Sequence, residues 1–141
     1  FMLLTEWENA RDDLKMVLEA SPHHYHALTK LGSCYLSLQR PERAEGPLNE
    51  AIRLNQDHAP AWHQRGLLYL ELKELDAAFD DFQAAVRCDG NHLDSRLHIA
   101  ATLHQQERHE EAAVAWRAVL AIDPDNNIAR TRLGDCETIL L

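Results

Sequence analysis

The stretch Leu31-Gly32-Ser33-Cys34-Tyr35, LGSCY, is followed 34 residues later by Arg65-Gly66-Leu67-Leu68-Tyr69, RGLLY. In both stretches a glycine stands three residues before a tyrosine. The same interval links two longer series of small residues, which are Gly32, Gly66, Ala100 and Gly134, and Ala10, Ala44, Ala78 and Ala112. Self-similarity at a fixed period of this length indicates an array of stacked structural repeats.

Three further series share the period, and their members are large or apolar. They are Val17, Ala51, Ala85 and Val119; Leu14, Leu48, Phe82 and Trp116; and Phe1, Tyr35, Tyr69 and Leu103. Within 76–88 the apolar residues recur at i, i+3, i+4, i+7 and i+8, as they do on one face of an amphipathic helix. A short polar turn, Lys73-Glu74-Leu75, separates this helix from the preceding one, so the two must run antiparallel.

The sequence therefore predicts an all-α fold, a right-handed α-solenoid of antiparallel helix pairs without strands. The predicted pairs span 25–38 and 42–55, 59–72 and 76–88, and 93–106 and 110–122, with flanking helices near 7–20 and 127–139. Glycine in a helix costs about 1 kcal/mol relative to alanine, so Gly32, Gly66 and Gly134 are expected at close helix approaches. The predicted core contains Tyr35, Trp62, Tyr69, Phe82 and Trp116, with Ala44, Ala78 and Ala112 at helix crossings.

Composition excludes several classes of function. The formal net charge is −9, with 23 acidic against 14 basic side chains, which argues against a nucleic-acid or anionic-membrane partner. No apolar run approaches the roughly 20 residues that cross a bilayer, and the start is not a signal peptide. Three widely spaced cysteines are typical of a reducing compartment, so we expect a cytoplasmic location. The chain begins with Phe1, and we expect it to belong to a longer protein.

No catalytic, cofactor or metal motif is present, so the sequence predicts a protein that is not an enzyme. The cluster His23-His24-Tyr25-His26 lies at a predicted turn and matches no zinc-ligand spacing. The adjacent pairs Asp80-Asp81 and Glu110-Glu111 point in different directions on a helix, and paired acid–base chemistry has no support.

The residues of the repeat resemble the tetratricopeptide repeat. The pattern of that family reads here as Trp62, Gly66, Tyr69, Ala78, Phe82 and Ala85. The resemblance covers the whole chain and divides it into a partial repeat at 1–24, full repeats at 25–58, 59–92 and 93–126, and a terminal helix at 127–141. It implies a scaffold that binds a peptide or a helical segment of a partner protein in a concave groove. The alternative is a structural module that stacks through its apolar ends onto itself or onto flanking domains.

The resemblance also assigns the groove to the first helix of each repeat. The implied groove residues are His26, Thr29, Lys30, Ser33, Leu36, His63, Gln64, Leu67, Leu70, Asp94, Leu97, His98, Ala101, His104 and Arg132, with Ser37 and Glu71 beside them. Some members of the family hold acidic chaperone tails with a lysine, asparagine and arginine clamp. The matching positions here are Thr29, Ser33, Gln64, Asp94 and His98, so that ligand is disfavoured.

Two features of this predicted groove have alternative interpretations. Arg65 replaces the usual leucine before Gly66, and its guanidinium either reaches water or a carboxylate of this chain or is presented to a partner. Histidines at 26, 63, 98 and 104 either act as neutral hydrogen-bonding groups or raise the affinity for an acidic peptide as pH falls.

Overall fold

A computed structural model describes residues 3–141, and it contains eight helices and no strand within that range. The helices are α1 (Leu4–Ala20), α2 (Tyr25–Ser37), α3 (Pro41–Leu54), α4 (Ala59–Glu71), α5 (Leu75–Cys88), α6 (Leu93–Gln105), α7 (His109–Ile122) and α8 (Asn127–Leu140). The all-α helical-repeat class is confirmed. The helix bounds agree with the predicted spans to within a few residues, because periodicity, prolines and turn residues all mark the same ends. Phe1, which belongs to one of the repeated series, lies outside the described residues.

The chain forms two compact units, one ending at Asp81 and the other beginning at Phe82, so the division falls inside α5. In the first unit α2 packs against α1, α3 and α4. In the second unit α7 packs against α6 and α8. Each unit is described by itself below.

The turns inside the helix pairs repeat with the same period. Gln39, Lys73 and Glu107 have φ values of 58°, 63° and 59°, the left-handed conformation in which many helices end. After each of them a backbone N–H donates back into the last turn of the helix. These bonds run from Arg40 to Tyr35, from Glu74 to Tyr69 and from Arg108 to Leu103, over 2.7, 2.8 and 3.0 Å. The three turns therefore close the helix ends with one geometry, although none of them contains glycine.

The loops between the pairs repeat as well. His24 and His92 each accept a backbone N–H through Nδ1, from Ala27 at 3.1 Å and from Ser95 at 3.3 Å. Asn126 fills the same role through Oδ1, 2.9 Å from the nitrogen of Ala129. These bonds satisfy free donors at the helix N-termini. Two of the nine histidines, His24 and His92, are thereby assigned to helix capping.

A second repeated bond reaches the same loops. Trp62 Nε1 donates to the carbonyl of Gln56 over 2.8 Å. At the equivalent positions Arg96 Nε donates to Gly90, and Arg130 Nε donates to Pro124, at 2.6 and 3.0 Å. Arginine therefore replaces tryptophan in the later repeats without loss of the hydrogen bond, because each side chain offers an N–H to the carbonyl six residues earlier.

The core of the first unit is built around a close approach of α2 and α3. A Cβ atom at Gly32 would lie 2.5 Å from Leu48 Cγ, well inside van der Waals contact, so only glycine leaves room for that leucine. Leu48 and Ala44 are completely buried there, and they cluster with Leu31, Tyr35 and Leu68. The predicted close approach at Gly32 is thus present, and Gly66 is also buried.

In the second unit Phe82 and Trp116 are buried at equivalent positions of α5 and α7. The Phe82 ring stacks on His98 of α6, with centroids 4.8 Å apart and planes 11° from parallel. Ala112 and Val119 are completely buried on α7. The predicted burial of Tyr35, Phe82, Trp116 and the three crossing alanines is confirmed.

Three predicted positions are less buried than expected. Trp62 and Tyr69 are only partly buried, although Trp62 packs against the core residues and Arg65 lies over both rings, with its Cζ atom 5.1 and 5.7 Å from the centroids. Gly134 is exposed, and a Cβ atom there would meet nothing within 4 Å. Glycine therefore recurs at this position of the repeat although no described side chain of another helix packs against it in the way that Leu48 packs against Gly32.

Arg65 connects three helices of the first unit. Its Nε and Nη2 atoms donate to the two carboxylate oxygens of Asp81 on α5, both over 2.9 Å. Its Nη1 atom donates to Asn49 Oδ1 on α3 over 3.1 Å. The Asp81 side chain is only 5% exposed, so this is a bidentate ion pair shielded from solvent. Arg65 therefore reaches a carboxylate of its own chain, as the first interpretation of this residue expected.

The glycine positions allow a matched test of the α2–α3 approach. Gly32→Ala should lower the free energy of unfolding by about 1–3 kcal/mol, because its methyl group must displace Leu48. Gly134→Ala, at the same repeat position but in open space, should raise that free energy by up to about 1 kcal/mol. Urea unfolding monitored by circular dichroism measures both. Equal effects of the same sign would contradict this packing.

A second test concerns the Arg65–Asp81 pair. Asp81→Ala should cost about 3 kcal/mol, because it leaves the guanidinium partly buried without its carboxylate. The double variant Arg65→Met with Asp81→Leu should recover most of that loss. Arg53→Ala, which removes an exposed pair with Glu50 on α3, should leave the melting temperature nearly unchanged. Additive losses in the double variant would show that the two side chains do not act as a pair.

Candidate functional site

The first unit contains a cavity of about 300 Å³ between α2 and α4. Its lining consists of Ser33, Leu36 and Ser37 from α2 and of Gln64, Leu67, Leu70 and Glu71 from α4. All seven belong to the groove that sequence analysis implied. We call this space the α2–α4 cavity.

Helix geometry explains why these side chains converge. On each helix the lining residues are three or four apart, which places them on one face. Both helices pack against α3, which occupies their other side through the Leu48 cluster. The buried face of each helix fixes its rotation, and the opposite face is therefore turned toward the cavity.

The cavity wall is apolar, and its polar groups are few. Leu36, Leu67 and Leu70 are partly buried, whereas Glu71 is exposed in the last turn of α4. Ser33 and Gln64 lie between these groups and can both donate and accept hydrogen bonds. An apolar wall with a few polar groups is typical of a binding site, where the polar groups fix the orientation of a ligand.

A second cavity, of about 360 Å³, lies where α1 meets α2. It is lined by Trp7, Ala10, Asp13 and Leu14 of α1 and by Lys30, Ser33 and Cys34 of α2. Ser33 lines both cavities. We call this space the α1 cavity. The α1 residues were missed as site residues, although Ala10 and Leu14 belong to series that sequence analysis recognised.

Cys34 in the α1 cavity is a poor nucleophile. It is 3% exposed, and burial raises the pKa of its thiol. Because the thiolate is the reactive form, this cysteine behaves as a small apolar residue. Cys136 in the second unit is also buried, with its Sγ atom 3.4 Å from His104 Nδ1, and burial raises its pKa as well. Among the residues described, no disulfide joins any two of the three cysteines.

Four implied groove residues of the first unit do not line the α2–α4 cavity, and one of them, Lys30, lines the α1 cavity. Thr29 is 5% exposed, and its hydroxyl donates to the carbonyl of Tyr25 over 2.9 Å within the helix. His63 is buried at 8% exposure. His26 is exposed, and its ring packs edge-on against His58, with centroids 4.6 Å apart. A role of these four residues in binding a partner stays a prediction.

The implied groove residues of the second unit are more dispersed. Asp94 and Ala101 are exposed on α6, whereas Leu97 is partly buried. Arg132 is exposed on α8, 3.9 Å from Asp135, and lines a separate cavity of about 340 Å³. That cavity is lined also by Asn127, Ile128 and Thr131 of the same helix. This cavity includes Arg132 but none of the implied groove residues of α6.

The histidines give little support to an affinity switch driven by pH. Burial lowers the pKa of His98, an effect larger than the opposing influence of Asp94. Burial also lowers the pKa of His58, with a smaller contribution from His26. Of these two residues only His98 belongs to the implied groove, and it stays neutral to lower pH than an ordinary histidine.

The described residues were also compared with the requirements of a metal site and of a membrane-spanning helix. Within residues 3–141 no three His, Cys, Asp or Glu side chains come together in a group that could hold a metal ion. None of the helices described above is both long and apolar enough to cross a membrane.

Two proteins of known sequence illustrate what this chain is similar to. RNA polymerase II-associated protein 3 of Xenopus laevis is 32% identical over 79 residues, which cover 56% of this chain and 12% of that protein. Superkiller complex protein 3 of Mus musculus is 23% identical over 138 residues, which cover 91% of this chain and 9% of that protein. The chain thus spans about a tenth of the length of these relatives.

Solved structures share the fold. A crystal structure of MamA superposes with a TM-score of 0.82 at 24% identity, covering 94% of this chain and 77% of that one. The first repeat domain of Spaghetti (RPAP3), bound to the HSP90 peptide SRMEEVD, gives a TM-score of 0.73 at 20% identity. That match covers 82% of this chain and 94% of the other.

Sequence profiles of the tetratricopeptide repeat match residues 4–65 and 59–92. These matches agree with the helix pairs, with the repeated turns at Gln39, Lys73 and Glu107, and with the structural similarity. The chain belongs to the tetratricopeptide-repeat family.

Proposed function

We propose that this chain is a non-catalytic scaffold that binds a peptide or a helical segment of a partner protein on the faces of α2 and α4. The α2–α4 cavity carries this proposal, because it joins three leucines to hydrogen-bonding side chains on one surface. Such a surface suits a ligand that lays the apolar part of a side chain against the leucines and forms hydrogen bonds to the polar groups. The comparisons support a role in protein interaction at the level of the family.

The ligand differs from the acidic peptide of the RPAP3 domain. Of the clamp positions in the first unit, Thr29 donates its hydroxyl within its own helix, and Ser33 and Gln64 carry no charge. Lys30 is the basic residue nearest to them on α2, and it lines the α1 cavity. A run of carboxylates would therefore meet no array of cations on the α2–α4 cavity.

Leu67 provides the test of this site. A peptide selected from a random display library on the native chain should lose about 30-fold in affinity for Leu67→Asp, because truncation of a central anchor typically costs about 2 kcal/mol. Val114→Asp should have no effect, since Val114 is also apolar, is exposed on α7 and does not line the cavity. Fluorescence polarisation with the labelled peptide measures both. Binding that survives Leu67→Asp, or that Val114→Asp also abolishes, would refute the site.

A second candidate function is assembly through the α1 end. Three residues that line the α1 cavity occupy the same repeat positions as three residues of the first-unit core. They are Ala10, Leu14 and Cys34, which lie 34 residues before Ala44, Leu48 and Leu68, respectively. The latter three are completely buried, and they cluster with two large side chains of α2, Leu31 and Tyr35. The α1 cavity is therefore shaped for a further helix of the α2 type.

The exposed side chains of α1 agree with such docking. Leu3 before the helix and Leu4 and Met16 within it are each about 60% exposed or more. Exposed apolar side chains of this size in one region mark interaction surfaces. A second copy of the chain, or a flanking domain, would supply the docking helix.

Ala10→Glu tests this assembly. The sedimentation coefficient of the native chain should rise with concentration, and Ala10→Glu should abolish the rise by placing a charge in the α1 cavity. Val114→Glu serves as the control for an added charge elsewhere. A native chain that stays monomeric at every concentration would contradict self-association, and loss of binding to the selected peptide in Ala10→Glu would show that the two functions share one surface.

A further inference from the structure

The charge at the α2–α4 cavity is unbalanced. Glu71 is the one ionised side chain among the residues that line it. No basic side chain pairs with Glu71 among the ion pairs formed by residues 3–141. The cavity therefore presents a carboxylate to whatever enters it.

The helices increase this negative potential. The cavity is lined by the second halves of α2 and α4, and neither helix has a basic residue in its last turn. The C-terminal end of a helix carries a partial negative charge, which favours a nearby cation. Lys73 follows Glu71 by two residues but lies beyond the helix, in the turn, and it does not line the cavity.

The side chain that enters must match both the wall and the charge. An apolar side chain would fit the leucines but would displace water from Glu71 without replacing its hydrogen bonds. An acidic side chain would meet a like charge. Arginine and lysine combine an apolar stem with a cationic head, and the guanidinium offers five donors to carboxylate, amide and hydroxyl oxygens.

We propose that the α2–α4 cavity is a subsite for a cationic side chain, with arginine preferred, so that the partner is a segment combining arginine with apolar residues. The stem would lie along Leu36, Leu67 and Leu70, and the head would reach Glu71. The net charge of −9 favours the approach of a basic partner at long range. This inference rests on the proposed function, since it assigns the chemistry of the ligand at the same site.

The experiment begins with selection of random 12-residue peptides on three proteins. These are the native chain, Glu71→Gln, and Glu74→Gln, which removes a neighbouring exposed carboxylate outside the cavity. Arginine should be enriched on the native chain and on Glu74→Gln, and the enrichment should disappear on Glu71→Gln. Enrichment of acidic residues, or enrichment of arginine that persists on Glu71→Gln, would overturn the subsite.

One selected peptide then gives a double-mutant cycle. Replacing its arginine by citrulline, which keeps the shape and removes the charge, should weaken binding about fivefold on the native chain and very little on Glu71→Gln. Equal losses on both proteins would overturn the pairing with Glu71. Peptides that bind through Leu67 without any charge preference would leave the proposed function intact and refute this inference. Failure to select any peptide would overturn both.

Discussion

The approach of α2 to α3 at Gly32 is the contact on which the rest of the first unit depends. Leu48 occupies the space where a side chain of residue 32 would be, and a Cβ atom there would lie 2.5 Å away. This close approach buries Leu48 completely and brings Leu31, Tyr35 and Leu68 around it. Because α3 also packs against α4, one glycine sets the position of the two helices whose outer faces form the α2–α4 cavity.

The repeat conserves interactions more strictly than residue types. An N–H reaches the carbonyl six residues earlier from Trp62, Arg96 and Arg130, and helix caps are supplied by histidine or asparagine. The left-handed turn residues are glutamine, lysine and glutamate, without a glycine among them. A helix pair needs its backbone groups satisfied and its turn closed, and several side chains achieve this. The fold consequently does not require one residue type at these surface positions, and the proposed binding site consists of surface residues of α2 and α4.

Sequence periodicity predicted the helices, their pairing and the buried alanines, because these depend on patterns that recur in every repeat. The resemblance to the tetratricopeptide repeat implied, by position alone, the seven residues that line the α2–α4 cavity. Periodicity overestimated the burial of Trp62 and Tyr69, whose rings lie beneath Arg65, and Arg65 pairs with Asp81, a residue 16 positions away. The prediction of a close helix approach also failed at Gly134, which occupies the same repeat position as Gly32 but has no described neighbouring side chain within 4 Å of a Cβ atom. The repeat pattern therefore predicts where a residue lies on its helix, whereas the exposure and contacts of that residue depend on the side chains around it.

The charges available for binding are those that the fold does not use. Arg65 of α4 is held by Asp81 and Asn49, so its guanidinium is engaged within the chain. Arg53 pairs with Glu50. Glu71 remains in the cavity wall without such a pairing among the described residues, beside helix ends that carry no basic side chain. The proposed subsite is therefore negative, whereas the RPAP3 domain, which has a similar fold, is bound to an acidic peptide. We infer that the side chains lining the cavity, rather than the fold, set the charge of the ligand.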